Sequence, residues 1–182
     1  GKEAFEKLSR VLEQRDRQIE LMLSRLPGGM LICGADNNFT SKWISDSLCS
    51  LLGYDGPEEF EQLTGGSGHG YILAEDYESV WDNIKQKLDR GESYSLEYRV
   101  MCKDGSILWV SDIGEKAEYP DGQEAIYCFI SDITERKQKQ MEMDAVNQEV
   151  RRQAEFLTQL YDTIPCGILQ FTTDKSHEIV SL

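Results

Sequence analysis

Three β-type stretches follow one another at residues 94–102, 107–118 and 124–130. They are joined by Lys103-Asp104-Gly105-Ser106 and Tyr119-Pro120-Asp121-Gly122. An Asp-Gly pair between alternating apolar runs is a strong local signal for a hairpin, because glycine takes the positive φ that a tight reversal needs. The segment therefore reads as an antiparallel meander, and the remaining elements must bury its apolar face. Upstream, residues 29–35 form a short apolar run, Asn37-Asn38 a turn, and residues 39–44 a second strand. Asp46 can cap a short helix holding Leu48, Leu51 and Leu52, stopped by Gly53. A second helical piece covers 58–63 and a Gly-rich loop covers 64–70. The longest internal helix covers 75–90, with Val80, Trp81, Ile84 and Leu88 on one face. Strand, strand, three helical pieces and a meander can bury these faces as one five-stranded antiparallel sheet with helices on one side. The last strand is apolar on both sides, so its outer face needs cover from the N-terminal helix or a partner subunit.

Charge narrows the function. The chain carries 33 acids against 19 bases. Residues 27–132 hold 20 of the acids and 7 of the bases, which places −13 of the net −14 there. A module so acidic does not displace counterions from nucleic acid or bind an anionic membrane surface, and no apolar run is long enough to span a bilayer. Cys33, Cys49, Cys102, Cys128 and Cys166 are odd in number and have no CxxC spacing, which argues against a disulfide framework or a zinc site. Most lie in apolar stretches, as small buried hydrophobes do, which fits a reducing, cytoplasmic setting.

Both flanks carry heptad seams. The first runs through Phe5, Leu8, Leu12, Arg15, Ile19, Met22 and Leu26, with dimer contacts expected from Leu8, Leu12, Ile19 and Met22. It should end at Pro27-Gly28-Gly29. The second runs through Met143, Val146, Val150, Gln153, Leu157, Leu160 and Ile164 and stops at Pro165. Such stripes pair two chains or pack on the chain's own sheet. Leu26-Pro27-Gly28-Gly29-Met30-Leu31 also matches Ile164-Pro165-Cys166-Gly167-Ile168-Leu169, 138 residues later, each copy following a seam. The second copy reads as the first strand or two of another domain of the same kind. The expected organisation is a coiled-coil-like helix at 1–26, a domain at 27–132, a linker helix at 133–164 and the start of a second domain at 165–182.

The motif content sharpens this. The run from Ser95 through Glu97-Tyr98-Arg99, Lys103-Asp104-Gly105 and Trp109-Val110 resembles the "EYR…KDG…WV" stretch of the PAS family in its bacterial PAS/PAC form. Ser131-Asp132-Ile133-Thr134-Glu135-Arg136-Lys137 resembles its closing "DITERK" motif, and residues 45–54 are similar to the helix after its second strand. The resemblance spans about residues 27–137. It implies an α+β PAS fold, a five-stranded antiparallel sheet with helices covering one face, flanked by long N- and C-terminal helices. It also implies a signal-relay role for Asp132, Thr134 and Glu135. On physical grounds Asp132 and Glu135 make a capping box that joins strand to helix without slack.

No catalytic constellation accompanies the fold, and the chain reads as non-enzymatic. The one histidine of the module, His69, sits in a Gly-rich loop without the lysine of a phosphate-binding loop. The long helix offers no haem-ligating histidine and no flavin-adduct cysteine motif is present, so neither cofactor is expected. Relatives carry a His-Pro-x-Asp start to that helix, which Ala74-Glu75-Asp76-Tyr77 keeps only in part. An unidentified small ligand is left. Ile32, Trp43, Leu48, Leu52, Phe60, Tyr71, Val80, Ile84, Leu96, Tyr98, Val110 and Phe129 are its candidate lining, the alternative being a filled core of the same residues. Two functions fit. One is a sensory module of a larger signalling protein, a sensor kinase or GGDEF-type cyclase, relaying ligand or partner binding through dimeric helices to an output domain in the same polypeptide. The other is a ligand-free dimerisation or protein-interaction spacer.

Overall fold

The computed structural model describes residues 2–23, 25, 27–163, 170–171 and 179–180, and the chain divides into two compact units, Gly1–Lys137 and Gln138–Leu182. The first unit opens with helix α1 (Lys2–Leu23), which ends before Pro27 as the Pro-Gly-Gly sequence requires. Strands β1 (Gly28–Gly34) and β2 (Ser41–Ile44) follow, then helices α2 (Asp46–Leu51) and α3 (Pro57–Thr64), a single 3₁₀ turn (Gly68–Gly70) and helix α4 (Ala74–Leu88). The meander is β3 (Tyr94–Met101), β4 (Ile107–Glu118) and β5 (Glu124–Asp132), and α5 (Thr134–Thr163) leaves its end. Gly105 and Gly122 take φ of 83° and 80°, as the two Asp-Gly turns demand.

The sheet order is β2-β1-β5-β4-β3, every pair antiparallel. The first strand therefore lies between the second and the last, and both ends of the domain meet in mid-sheet. Register decides which side chains look inward. Leu31 pairs with Ile44 and Cys128, Ile130 with Asp112, Val110 with Tyr98, and Gly114 with Tyr94. These residues share the face that α2, α3 and α4 cover. Leu48, Cys49, Leu52, Phe60, Val80, Ile84 and Leu88 descend onto them from the helices. Tyr54 and Tyr71 pack their rings on Phe60 at centroid distances of 5.2 and 5.5 Å.

Two expectations need local correction. The cap of α2 is Ser45 rather than Asp46. Its Oγ accepts the Leu48 N–H at 3.3 Å and the Met30 N–H at 3.0 Å, so one hydroxyl ties the helix to β1. A side chain at Gly29 would collide with that hydroxyl and with Leu48. Strand β2 begins at Ser41, not at 39. Asp36 folds the chain back by accepting the Asn38 and Thr40 N–H groups, and Phe39, at φ 48°, turns its ring onto Trp81 at 4.9 Å. The Gly-rich loop is tied to the β1–β2 connection, for the Ser41 N–H bonds to Gly66 O at 2.7 Å and the Gly68 N–H to Asn38 O at 2.8 Å.

Of the N-terminal seam, the side chains of Leu8, Leu12 and Ile19 lie outside the described residues, and Met22 is 69% exposed. In the second unit, α5 leaves Met143, Val146, Val150, Leu157 and Leu160 exposed along one seam. Gln170–Phe171 (β6) and Ile179–Val180 (β7) pair antiparallel. The Pro165-Cys166-Gly167 turn of the expected second copy lies outside the described residues.

Candidate functional site

The residues where β5 becomes α5 explain how strand and helix are joined. Antiparallel pairing runs to Val110 and Asp132. One step on, the Ile133 N–H still bonds to Trp109 O at 2.8 Å, as a strand residue would. The Ile133 carbonyl, however, accepts the Lys137 N–H at 2.9 Å, the first bond of the helix. The Trp109 N–H thereby loses its strand acceptor, and Thr134 Oγ1 takes its place at 3.0 Å. A threonine hydroxyl stands where a backbone carbonyl would be, so the ladder passes into the helix without orphaning a donor. Asp132 Oδ1 accepts the Thr134 N–H at 2.8 Å and fixes the turn. Glu135 lies exposed in the first turn of α5, where a negative charge suits the helix N-terminus.

The outer face of β3 and β4 holds the first turn of α5 from the side. Glu97 forms ion pairs with Arg136 and, at 2.7 Å, with Lys137. Its carboxyl is held below the ordinary range, first by Lys137 and then by Arg136. The Lys137 ammonium also lies 4.7 Å from the centre of the Trp109 ring, and the Arg99 guanidinium lies 5.9 Å from it. Arg99 in turn grips the start of α4. Asp76 accepts its backbone N–H at 2.9 Å, its Nε at 3.0 Å and its Nη2 at 2.5 Å, and Glu75 accepts Nη2 at 3.1 Å. The fork lowers the Asp76 pKa, and the pair raises that of Arg99. A continuous run of contacts thus leads from α4 through Arg99 and Trp109 to α5.

The inner face places the candidate ligand lining differently from the sequence reading. Leu48, Leu52, Phe60, Tyr71, Val80, Ile84, Tyr98 and Val110 are buried between sheet and helices, with Leu96 partly buried against them. Ile32, Trp43 and Phe129 are not among them. Ile32 pairs with Trp43 and with Tyr127, and Phe129 with Met30, on the opposite face, and Trp43 is 44% exposed. The parity of β1, β2 and β5 differs by one residue from that expected from the sequence, and with a period of two such a slip moves a side chain across the sheet. Ile113, 55% exposed, shares that outer face. On the inner side a cleft of about 140 Å³ opens between α4 and the sheet, its walls including Trp81, Ile84, Leu88 and Ile126 with Lys116 and Glu124. That volume suits a molecule of a few heavy atoms and is well below the ~300 Å³ of a drug-sized site.

Motif reading missed a polar cluster at the centre of this core. Asp112 of β4 is 2% exposed and accepts Tyr98 Oη at 2.9 Å and Tyr94 Oη at 3.3 Å. Its signal in the sequence was an acid at an inward position between Val110 and Gly114, in the middle of the meander. The cysteines Cys33, Cys49, Cys102 and Cys128 are buried and unbridged. Burial pushes the Cys49 thiol up to about 11, away from the range of a reactive thiolate.

Residues 42–130 match the family model described as the PAS fold. The chain is 34% identical over 73 residues to the sensor histidine kinase TmoS of Ectopseudomonas mendocina, a match covering 37% of this chain and 8% of that kinase. Among solved structures it is similar to a sensory box histidine kinase/response regulator from Burkholderia thailandensis, with TM-score 0.58, 21% identity and coverage of 74% of this chain and 98% of that one. It is also similar to the PAS domain of an HTR-like protein from Haloarcula marismortui, with TM-score 0.56, 21% identity and coverage of 70% and 99%. The five-stranded sheet, its covering helices and the family match together show that the central module of this chain is a PAS domain.

Proposed function

We propose that this chain is a sensory module of a larger signalling protein, which transmits a change on the helix-covered side of its sheet into α5. The observation that carries this is the run of contacts from Asp76 through Arg99 and Trp109 to Lys137 and Thr134. It links the helix that walls the cleft to the helix that leaves the domain. The partial match to a sensor histidine kinase supports an output domain in the same polypeptide, of kinase type. A small ligand in the core and a further PAS copy beginning near Pro165 complete the reading. The module works without catalysis of its own, as a PAS sensor does.

Dimerisation is part of this reading. Met143, Val146, Val150, Leu157 and Leu160 recur at heptad spacing and stand exposed on a single copy of α5, as paired helices require before they pair. The same seam supports the alternative, a ligand-free dimerisation spacer. The two differ in whether disturbance travels. Asp76→Asn weakens the grip of α4 on Arg99 at a site remote from α5. On a relay it accelerates amide exchange at Trp109 and Lys137. On a spacer the effect stays within α4 and β3, and that outcome would refute the relay.

A further inference from the structure

The relay runs along the outer face of β4 and leaves the inner-face carboxyl of Asp112 unexplained. Asp112 pairs with Leu96 of β3 and Ile130 of β5. Beside it, Gly114 leaves room for Tyr94, whose ring and hydroxyl a side chain there would strike. The titratable groups around the carboxyl are Tyr94 and Tyr98 from β3, Tyr71 from the segment ahead of α4, and Cys128 from β5, with Cys33 of β1 next to Cys128. Helices α2 and α4 bring Leu48, Leu52, Val80 and Ile84 to this core. Among the described residues, no lysine, arginine or histidine bonds to Asp112. A buried carboxylate without a cation is costly, yet two phenols offset part of that cost by donating to it. The same phenol oxygens can accept from a neutral carboxyl, so the site accommodates either form.

We propose that Asp112, Tyr94 and Tyr98 form a proton-operated element. The carboxyl keeps its proton in the tight packing of β3, β4 and β5 and releases it to solvent as pH rises, which loosens that packing. Trp109 lies three residues away on the same strand, and Ile130 lies two residues before Asp132, so the loosening adjoins the α5 junction from two strands. This last step rests on the relay reading. Burial supports the assignment by pushing the Asp112 carboxyl up to about 7, against the hydrogen bonds of Tyr98 and Tyr94 that lower it. Tyr71, Tyr94 and Tyr98 are driven upward by burial, and Cys128 by its hydrogen bond with Cys33 and then by burial. Those four stay neutral where Asp112 changes charge.

The test compares the whole chain with Asp112→Asn in thermal melting from about pH 5 to about pH 8.5, with Trp109 amide exchange followed alongside. An unfolded aspartate ionises near ~3.9. From there up to the folded value the native chain holds a proton that the unfolded chain has lost, so stability falls as pH rises and levels off above about 7. The asparagine variant lacks this fall, and because it keeps every other titrating group, the difference between the two profiles isolates Asp112. Corrected for intrinsic exchange, the Trp109 amide exchanges several-fold faster above neutrality in the native chain only. Tyr98→Phe removes a bond that lowers the carboxyl, so its levelling point moves upward, and it serves as the readout should Asp112→Asn fail to fold. Parallel melting profiles, or a levelling point unmoved in Tyr98→Phe, overturn the proposal. A melting response without a Trp109 response overturns the step to α5, whereas the relay itself stands or falls on Asp76→Asn.

Discussion

Thr134→Val asks the α5 junction one question. Valine keeps the branched shape of threonine and its χ1 preference, and removes only the hydroxyl. In the native chain that hydroxyl accepts the half-buried Trp109 N–H at 3.0 Å, because the Ile133 carbonyl has turned to Lys137. A donor left without its acceptor in such a position costs about 1–2 kcal/mol. The neighbouring bonds survive, namely Ile133 N–H to Trp109 O, Asp132 to the Thr134 backbone N–H, and Glu97 to Arg136 and Lys137. The loss should therefore appear as local opening of the strand-to-helix turn. One to two kcal/mol corresponds to roughly 5- to 30-fold faster exchange of the Trp109 amide. Native-state hydrogen exchange followed by NMR reads it directly, with the Val100 amide of β3 as the internal reference. If Trp109 is unchanged, the hydroxyl is not the acceptor that matters. If Val100 accelerates as much as Trp109, the hydroxyl supports the whole fold rather than the junction, and the argument fails.

Glu97→Lys replaces two attractive pairs with repulsion toward Arg136 and Lys137, so exchange in the first turn of α5 should accelerate at low salt and recover at high salt, with global stability changing by no more than about 1 kcal/mol. In the native chain the lowered Glu97 pKa sets the sign of the pH effect. The latch holds above the ordinary glutamate range and is lost as pH falls through the folded value, which NMR titration of the glutamate carboxyl would record. Phe60→Ala empties a fully buried position between Tyr54 and Tyr71 and should cost about 3–5 kcal/mol in chemical denaturation; a cost under ~1 kcal/mol would show that the core closes over the gap.

The parts of this fold that were legible in the sequence are those fixed by local chemistry. Gly105 and Gly122 announced the meander because their turns require positive φ, and Val80, Ile84 and Leu88 announced α4 by their spacing. What depends on long-range register was harder to read. Ile32, Trp43 and Phe129 are as apolar as their inward neighbours; β1 and β5 are apolar on both faces, and in β2 the polar Lys42 shares the parity of the buried Ile44. Phe39 looked like the first residue of a strand, but its backbone is set by Asp36 three residues earlier and its ring by Trp81 on a distant helix. Asp132 and Thr134 could be placed at the end of the last strand. That Thr134 serves the Trp109 N–H was invisible, since it depends on the pairing of β4 with β5 running one residue past Asp132.

The geometry of β4 suits the proposed relay. Side chains along it alternate, so Val110, Asp112 and Gly114 look into the core while Trp109, Ser111 and Ile113 look outward. A change felt at Asp112 lies within three residues of the Trp109 backbone that holds α5, yet the two side chains never share a face. The inner cluster and the outer contacts share only the backbone itself, hydrogen-bonded to β3 on one side and β5 on the other. An amphipathic helix in the same place would present one face to the core and the other to water, with the output contact at its end. Here the sheet brings the inner cluster, the Glu97 pairs and the departing helix onto three adjacent strands, next to the Thr134 hydrogen bond, whose length and angle have a narrow tolerance.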